Sequence, residues 1–385
     1  MLTPGIRASE GLPEYIPSEC TLMGDSSSTP LHEGCASPSR DAPERIRPAG
    51  ALYGLPNFLG AMLRDAFGRE VTDIRISVTK RCNFGCVYCH DEGLGPVAKP
   101  RAPHSDELEP AEIERMVRVA REFDIRSVKF TGGEPLVRTD LEEIIERSVR
   151  QIPDVSLTTN GSMLAARAEG LRAAGLKRVN VSIDSLDPEE FRSIRGGSLS
   201  PVLRGIRAAL RVGLKPVKLN LVVFRRTLEN IPKLIEFVNA EEGLKLQLIQ
   251  FMPELVEHRD WMVDIDSVKR WLEQHATRVL VREMHHRHVY LFDGAEIEVV
   301  DPVQNADFCS ACHRIRVTHA GELKGCLNRN DDLIPTRGLD DDGLREAFRA
   351  VVRQRVPYYG VFVTDYPRRS IESAPLIQLR VPGKA

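Results

Sequence analysis

The sequence predicts an α/β chain: an incomplete (β/α)6 barrel followed by a small C-terminal domain. Three observations predict it. From about residue 73, short β-rich runs alternate with helical patterns, the mark of βα units around a parallel sheet. The units number six within about 200 residues, too few for the usual eight-stranded barrel. Finally, alternate strand positions are polar, whereas a parallel strand buried on both faces reads as nearly continuous apolar residues.

The strands, in order, are IRISV (74–78), VKFT (128–131), VSLTTN (155–160), RVNVSID (178–184), VKLNLVV (217–223) and LKLQLIQFM (244–252). Helical patterns begin near Glu109, Thr139, Ser162, Ser200 and Leu228, with a shorter piece from Asp187 and a sixth helix near Asp264. Within the strands, Ile74, Ile76, Val128, Phe130, Val179, Val181, Ile183, Val217, Leu219 and Leu221 form one set. Arg75, Ser77, Lys129, Thr131, Ser156, Thr158, Asn160, Asn180, Ser182, Asp184, Lys218 and Asn220 form the other. Side chains alternate with a period of two, so one face can pack against helices while the other, polar and partly basic, lines a lumen. An exposed antiparallel sheet would alternate in the same way, but the intervening helices argue against it. The lumen should hold a polar, anionic ligand.

Composition bounds the rest. In 385 residues, 42% are hydrophobic and 28% charged, as in globular chains. No apolar run approaches the roughly 20 residues of a membrane span. The first residues lack a basic n-region followed by an apolar stretch, and they carry Glu10, Glu14 and Glu19, so neither a secretory signal nor a transit peptide is expected. The expectation is a cytoplasmic enzyme. A net charge of −2 points to no nucleic-acid partner. Residues 1–50 are rich in Pro, Ser, Gly and Ala and are expected to be a largely disordered extension holding Cys20 and Cys35 without ligands. The barrel is expected over 51–278, a C-terminal domain over 279–360 and an irregular tail over 361–385. The C-terminal domain has β runs at 288–293 and 296–300, a hairpin turn at His319-Ala320-Gly321 and a helix over Asp342–Arg353.

The eight cysteines are uneven: Cys82, Cys86 and Cys89 in TKRCNFGCVYCH, Cys309, Cys312 and Cys326 in CSACHRIRVTHAGELKGCL, and the two near the start. A disulfide framework is expected of a short secreted chain, and this is a long one without a signal, so the two triplets read as metal or cluster ligands. Three thiolates on a [4Fe–4S] cluster leave one iron open to a small molecule. A zinc site completed by His90 or a distant residue is the alternative on spacing alone. Arg314 and Arg316, between two cysteines of the second triplet, fall on one side of an extended run and suit phosphate. With Arg75, Lys129 and Lys218 they would converge on a polyphosphate between the two triplets.

The spacing C-x3-C-x2-C directly after a first strand resembles that of radical S-adenosylmethionine (SAM) enzymes. The run KFTGGEP (129–135) resembles their glycine motif. From about Tyr53 to Tyr359, through LTTNG, RVNVSIDSLDPEEFRSI and the second triplet, the chain resembles the GTP 3′,8-cyclases of molybdenum cofactor biosynthesis, archaeal members above all. The resemblance implies two [4Fe–4S] clusters, one on Cys82, Cys86 and Cys89 that binds SAM, and one on Cys309, Cys312 and Cys326 that binds guanine. It implies a deoxyadenosyl radical that takes the C3′ hydrogen of GTP, after which C3′ attacks C8. SAM contacts would come from Tyr88, Gly132, Gly133, Glu134, Ser182 and Met252. GTP contacts would come from Arg75, Lys129, Thr158, Lys218, Arg314 and Arg316.

Implied partners are GTP, an electron donor of the ferredoxin or flavodoxin type, and a cyclic pyranopterin monophosphate synthase that takes the product. Monomer and homodimer are both open. Three departures stand out. Gln247 occupies the place of a bacterial phosphate-binding arginine, His313 replaces an asparagine, and the chain ends Pro382-Gly383-Lys384-Ala385 instead of Gly-Gly. A paralogue acting on a peptide or another small molecule, and a non-catalytic zinc or iron–sulfur scaffold, remain as alternatives.

Overall fold

A computed structural model describes residues 44–46, 62–94, 107–256 and 258–360. Cys20, Cys35, the 361–385 tail and most of the expected N-terminal extension lie outside the described residues. Within that extension, however, Glu44–Ile46 forms a strand, β1, which pairs in parallel with residues 280–282. The expected disorder of 1–50 therefore does not extend to these three residues.

The barrel strands are β2 (Asp73–Ser77), β3 (Ser127–Thr131), β4 (Asp154–Thr159), β5 (Arg178–Ser182), β6 (Val217–Val223) and β7 (Leu244–Gln250). Each pairs in parallel with the next. The helices between them are α1 (Pro110–Glu122), α2 (Leu141–Gln151), α3 (Leu164–Ala173), α4 (Pro188–Arg195), α5 (Leu199–Arg211) and α6 (Asn230–Asn239), and α7 (Ile265–His275) follows β7. Their starts are locally encoded. Glu109 and Glu112 form a capping box with Pro110 at the first position of α1, and Asp187 accepts the N–H groups of Glu189 and Glu190 at the start of α4. Helix α4 ends on Gly196, whose φ of 70° is the left-handed conformation glycine adopts without strain.

The apolar strand set faces the helices: Ile74, Ile76, Val128, Phe130, Val179, Val181, Leu219 and Leu221 are fully buried against them. The polar set is thereby turned to the concave side.

The C-terminal segment builds no separate sheet. It contributes β8 (Arg278–Arg282), β9 (His288–Leu291), β10 (Glu296–Val300), the short helix α8 (Ala306–Ser310), β11 (Arg314–Val317), β12 (Glu322–Lys324), β13 (Ile334–Pro335) and α9 (Asp341–Arg353). Strand β10 pairs with β7 at one edge of the barrel, and β11 pairs with β2 at the other, in parallel in both cases. The result is one thirteen-stranded sheet, ordered β1-β8-β9-β10-β7-β6-β5-β4-β3-β2-β11-β12-β13. No helix of the described residues is long and apolar enough to cross a membrane.

Candidate active site

Because the C-terminal strands extend both barrel edges, the two cysteine triplets meet across one lumen. All six cysteines line a single cavity of about 360 Å³, and none forms a disulfide with another. Within each triplet the thiols feel one another's charge: Cys82 with Cys86, Cys86 with Cys89, and Cys309 with Cys326 and Cys312. Burial pushes the Cys86 and Cys309 thiols up to about 11, so a bound cation is needed to keep them as thiolates. Among the described residues, no group of three or more His, Cys, Asp or Glu side chains is arranged to hold a metal ion. Three cysteine sulfurs on one loop, all lining the cavity, are nonetheless the donor type an iron–sulfur cluster takes. His90, the residue considered for zinc, lines the cavity with its Nδ1 accepting the Gly93 N–H at 3.0 Å.

The first triplet sits on the loop after β2, and neighbouring backbone holds it. Gly85 N donates to Arg195 O and Val87 N to Ile194 O, so the last turn of α4 fixes the loop from one side. From the other side Gly133 N donates to Thr79 O and Glu134 N to Arg81 O, both at 2.7 Å. A Cβ at Gly132 would lie 2.3 Å from Thr79 O, and one at Gly133 would lie 2.3 Å from Arg81 O. The two glycines let β3 end directly against the cysteine loop.

Of the residues expected to contact SAM, Tyr88, Gly132, Gly133, Ser182 and Met252 line the cavity. Glu134 lies behind its wall. Fully buried, its carboxylate accepts Leu136 N at 3.0 Å, Thr159 Oγ1 at 2.6 Å and Asn160 N at 2.5 Å, tying the ends of β3 and β4 together. The Tyr88 hydroxyl donates to Asp184 Oδ2 at 2.5 Å, and Arg195 donates to both, so the phenol is spent on this buried triad.

Of the expected GTP contacts, Arg75, Thr158, Arg314 and Arg316 line the cavity, while Lys129 and Lys218 do not. Two carboxylates absent from the motif reading pair with the arginines: Asp73 with Arg314, and Glu92 with Arg316 at 2.8 Å. Burial pushes the Glu92 carboxyl up, but Arg75 and Arg316 outweigh it and bring it down to about 2. Burial, then Arg314 and Arg316, lower the Arg75 guanidinium to about 9. Burial, then Arg75, Arg314 and Lys218, hold the Lys129 ammonium well below its ordinary value. Arg75 Nε, Thr158 Oγ1 and Asn220 Oδ1 are buried without a hydrogen-bond partner. Orphaned polar atoms and mutually repelling cations on one wall fit an anionic, hydrogen-bonding ligand.

The second triplet is held by residues no motif signals. Asp65 is buried between Arg69 (2.8 Å) and Arg355 (3.3 Å). Arg69 Nη1 donates to Cys309 O at 3.0 Å, and Arg355 Nη2 donates to Cys312 O. Asp65 and Arg69 are four residues apart, but only tertiary contact brings them to Arg355 and to the cysteine carbonyls, so local sequence patterns could not reveal the arrangement. His285 was also missed; it lines the cavity and stacks on Phe308 with ring centroids 4.0 Å apart.

Comparison with known proteins gives a consistent picture. The family model for the Radical SAM superfamily matches residues 76–238, and that for Molybdenum Cofactor Synthesis C matches 244–361. A probable GTP 3′,8-cyclase of Halobacterium salinarum is 47% identical over 330 residues, covering 79% of this chain and 91% of that protein. One from Methanosarcina mazei is 43% identical over 309 residues, covering 77% of this chain and 90% of that protein. Among solved structures, Streptococcus suis SuiB aligns with a TM-score of 0.52 at 16% identity, covering 74% of this chain and 69% of that one. Native anSMEcpe with bound AdoMet aligns at 0.50 and 18%, covering 72% and 81%. At such identities these two structures speak for the fold.

Proposed function

The chain belongs to the GTP 3′,8-cyclase family within the radical SAM superfamily, and from that premise we propose how its cavity divides the work. The enzyme acts on GTP, joining ribose C3′ to guanine C8 in the first step of molybdenum cofactor biosynthesis, with SAM and iron–sulfur clusters as cofactors. The observation that carries the division of roles is that both triplets open into one cavity with a basic, hydrogen-bond-deficient wall.

Cys82, Cys86 and Cys89 would hold the SAM-binding cluster, and Cys309, Cys312 and Cys326 the second. Bound there, SAM and its cluster supply the hydrogen-abstracting radical chemistry that no side chain can provide. The chain's own part is to bind, orient and exclude water. Tyr88, Gly132, Gly133, Ser182 and Met252 bound the SAM side. Arg75, Thr158, Arg314 and Arg316 bound the GTP side, where an incoming phosphate would share the guanidinium groups now facing Asp73 and Glu92. Lys129 and Lys218, set back from the wall, add positive field. Glu134 would support SAM indirectly, through the strand ends it fastens. The apolar strand faces and helices close the lumen from behind, keeping water from reactive species. A one-electron donor of the ferredoxin or flavodoxin type and a synthase consuming the cyclised nucleotide are the partners this chemistry calls for.

The test is deoxyadenosine release by anaerobically reconstituted protein given SAM and a reductant, with GTP, with ATP and with no nucleotide. Release driven by GTP, with a nucleotide product of unchanged mass, is expected. Release indifferent to GTP would overturn the substrate assignment.

A further inference from the structure

We propose that Arg287 is a further nucleotide-binding residue, meeting the phosphate end of the substrate on the β7–β10 side of the lumen. The inference rests on the nucleotide reading above and extends it to a residue outside every motif.

Arg287 follows a tight corner between β8 and β9, in which His285 (φ 62°) and His286 (φ 45°) both adopt left-handed backbone. The corner turns the guanidinium inward. It lines the cavity, with its side chain 15% exposed. Its two contacts are long: Nε donates to Met284 O at 3.3 Å, and Nη1 lies 3.3 Å from Glu298 Oε1.

Glu298 already serves other groups. Fully buried, it pairs with Lys218, accepts Gln247 Nε2 at 2.9 Å and faces Arg282 Nε at 2.7 Å. Three cations thus share one carboxylate. The neighbouring Glu296 does not restore the balance, because Lys245 and Arg282 both pair with it. On the opposite side Arg314 repels Arg287 while its own partner Asp73 attracts it, so that pair does not remove the local excess. Arg282 and Lys245 are about a third exposed, but Lys218 and Arg287 are largely buried with one carboxylate between them, and such an excess is costly unless an anion meets it. Of the three cations on Glu298, Arg287 is the one that reaches the cavity wall. Gln247 reaches it as well, with its Nε2 donating to Glu298, but it is uncharged. A guanidinium with a planar fork of donors and only long contacts is suited to grip phosphate oxygens. Arg314 and Arg287 would then hold the anionic chain from two sides.

The experiment is equilibrium binding of GTP and of guanosine to cluster-loaded protein without SAM, comparing wild type with Arg287→Gln and Arg287→Lys. Arg287→Gln is expected to weaken GTP about thirtyfold or more, by analogy with truncated buried charge pairs, and to leave guanosine unchanged. Arg287→Lys should recover part of the loss. Unchanged guanosine binding also serves as the control for folding. GTP affinity within twofold of wild type in Arg287→Gln would overturn the assignment, as would equal losses for GTP and guanosine. Wild-type protein that binds no GTP would instead overturn the nucleotide reading itself.

Discussion

Cys82 carries the sharpest consequence of the site. It lines the cavity on the loop held between Gly133 and Arg195. Cys82→Ser should abolish deoxyadenosine formation in the presence of SAM and reductant; retained formation would remove the first triplet from the chemistry. Glu92 carries a pH dependence. Its carboxyl is lowered from 4.5 to about 2, so its stabilisation is present above 4.5 and is lost as pH falls toward 2. Urea unfolding of cluster-free wild type and Glu92→Gln should therefore differ most at neutral pH and converge as pH falls. A constant gap between pH 7 and pH 3 would contradict this. Asp65 is the hinge of the second triplet's support, since two buried arginines share it. Asp65→Asn should cost about 3 kcal/mol, the scale of a broken buried ion pair. Spectroscopy should then show loss of the second cluster with the first retained.

At the scale of elements, the junction between β3 and the first cysteine loop is the tightest fit near the site. Strand β3 ends on two glycines because the carbonyls of Thr79 and Arg81 lie where side chains would stand. Gly133→Ala would force a Cβ into Arg81 backbone 2.3 Å away. The loop must shift, and the cysteine next to Arg81 shifts with it. Reduced iron uptake by the first triplet is expected, with the second triplet unaffected; full uptake at both would show that the loop yields without cost. Sequence patterns read these elements well because their cues are local. Strand alternation, the Asp187 cap and the Glu109–Glu112 box all act within a few residues. Strands β8 and β13 were not anticipated, and each is a short element held by its neighbours' pairing; helix α8, a five-residue helix capped by Asn305, was not anticipated either.

Across the whole molecule, the C-terminal segment completes the barrel by binding both of its edges. Strand β10 hydrogen-bonds to β7 and carries β9 and β8 beyond it, and β11 hydrogen-bonds to β2 and carries β12 and β13, at opposite ends of the strand order. An isolated fragment of residues 244–360 would lack the β2 edge and the helices behind it. It is expected to show no cooperative unfolding transition by circular dichroism. A sharp transition would mean that it folds as an independent domain. Sheet edges left open are also prone to aggregation, so low solubility of the fragment is expected with it.

The sequence by itself determined the βα order, the inward polar face, both cysteine triplets and the family resemblance. These depend on periodicity and spacing, which survive in one dimension. Only the tertiary structure decided that the triplets share one cavity, that Glu134 fastens strands behind the wall, and that Asp73, Glu92 and Glu298 answer the lumenal cations. It also decided that Arg355 meets Asp65, 290 residues away in the chain, and that Arg69 reaches Cys309 across 240. The reason is physical: charge pairing and burial depend on distance in space. Residues such as Arg75 and Arg314, far apart in sequence, become neighbours only once β11 adds to the edge of β2.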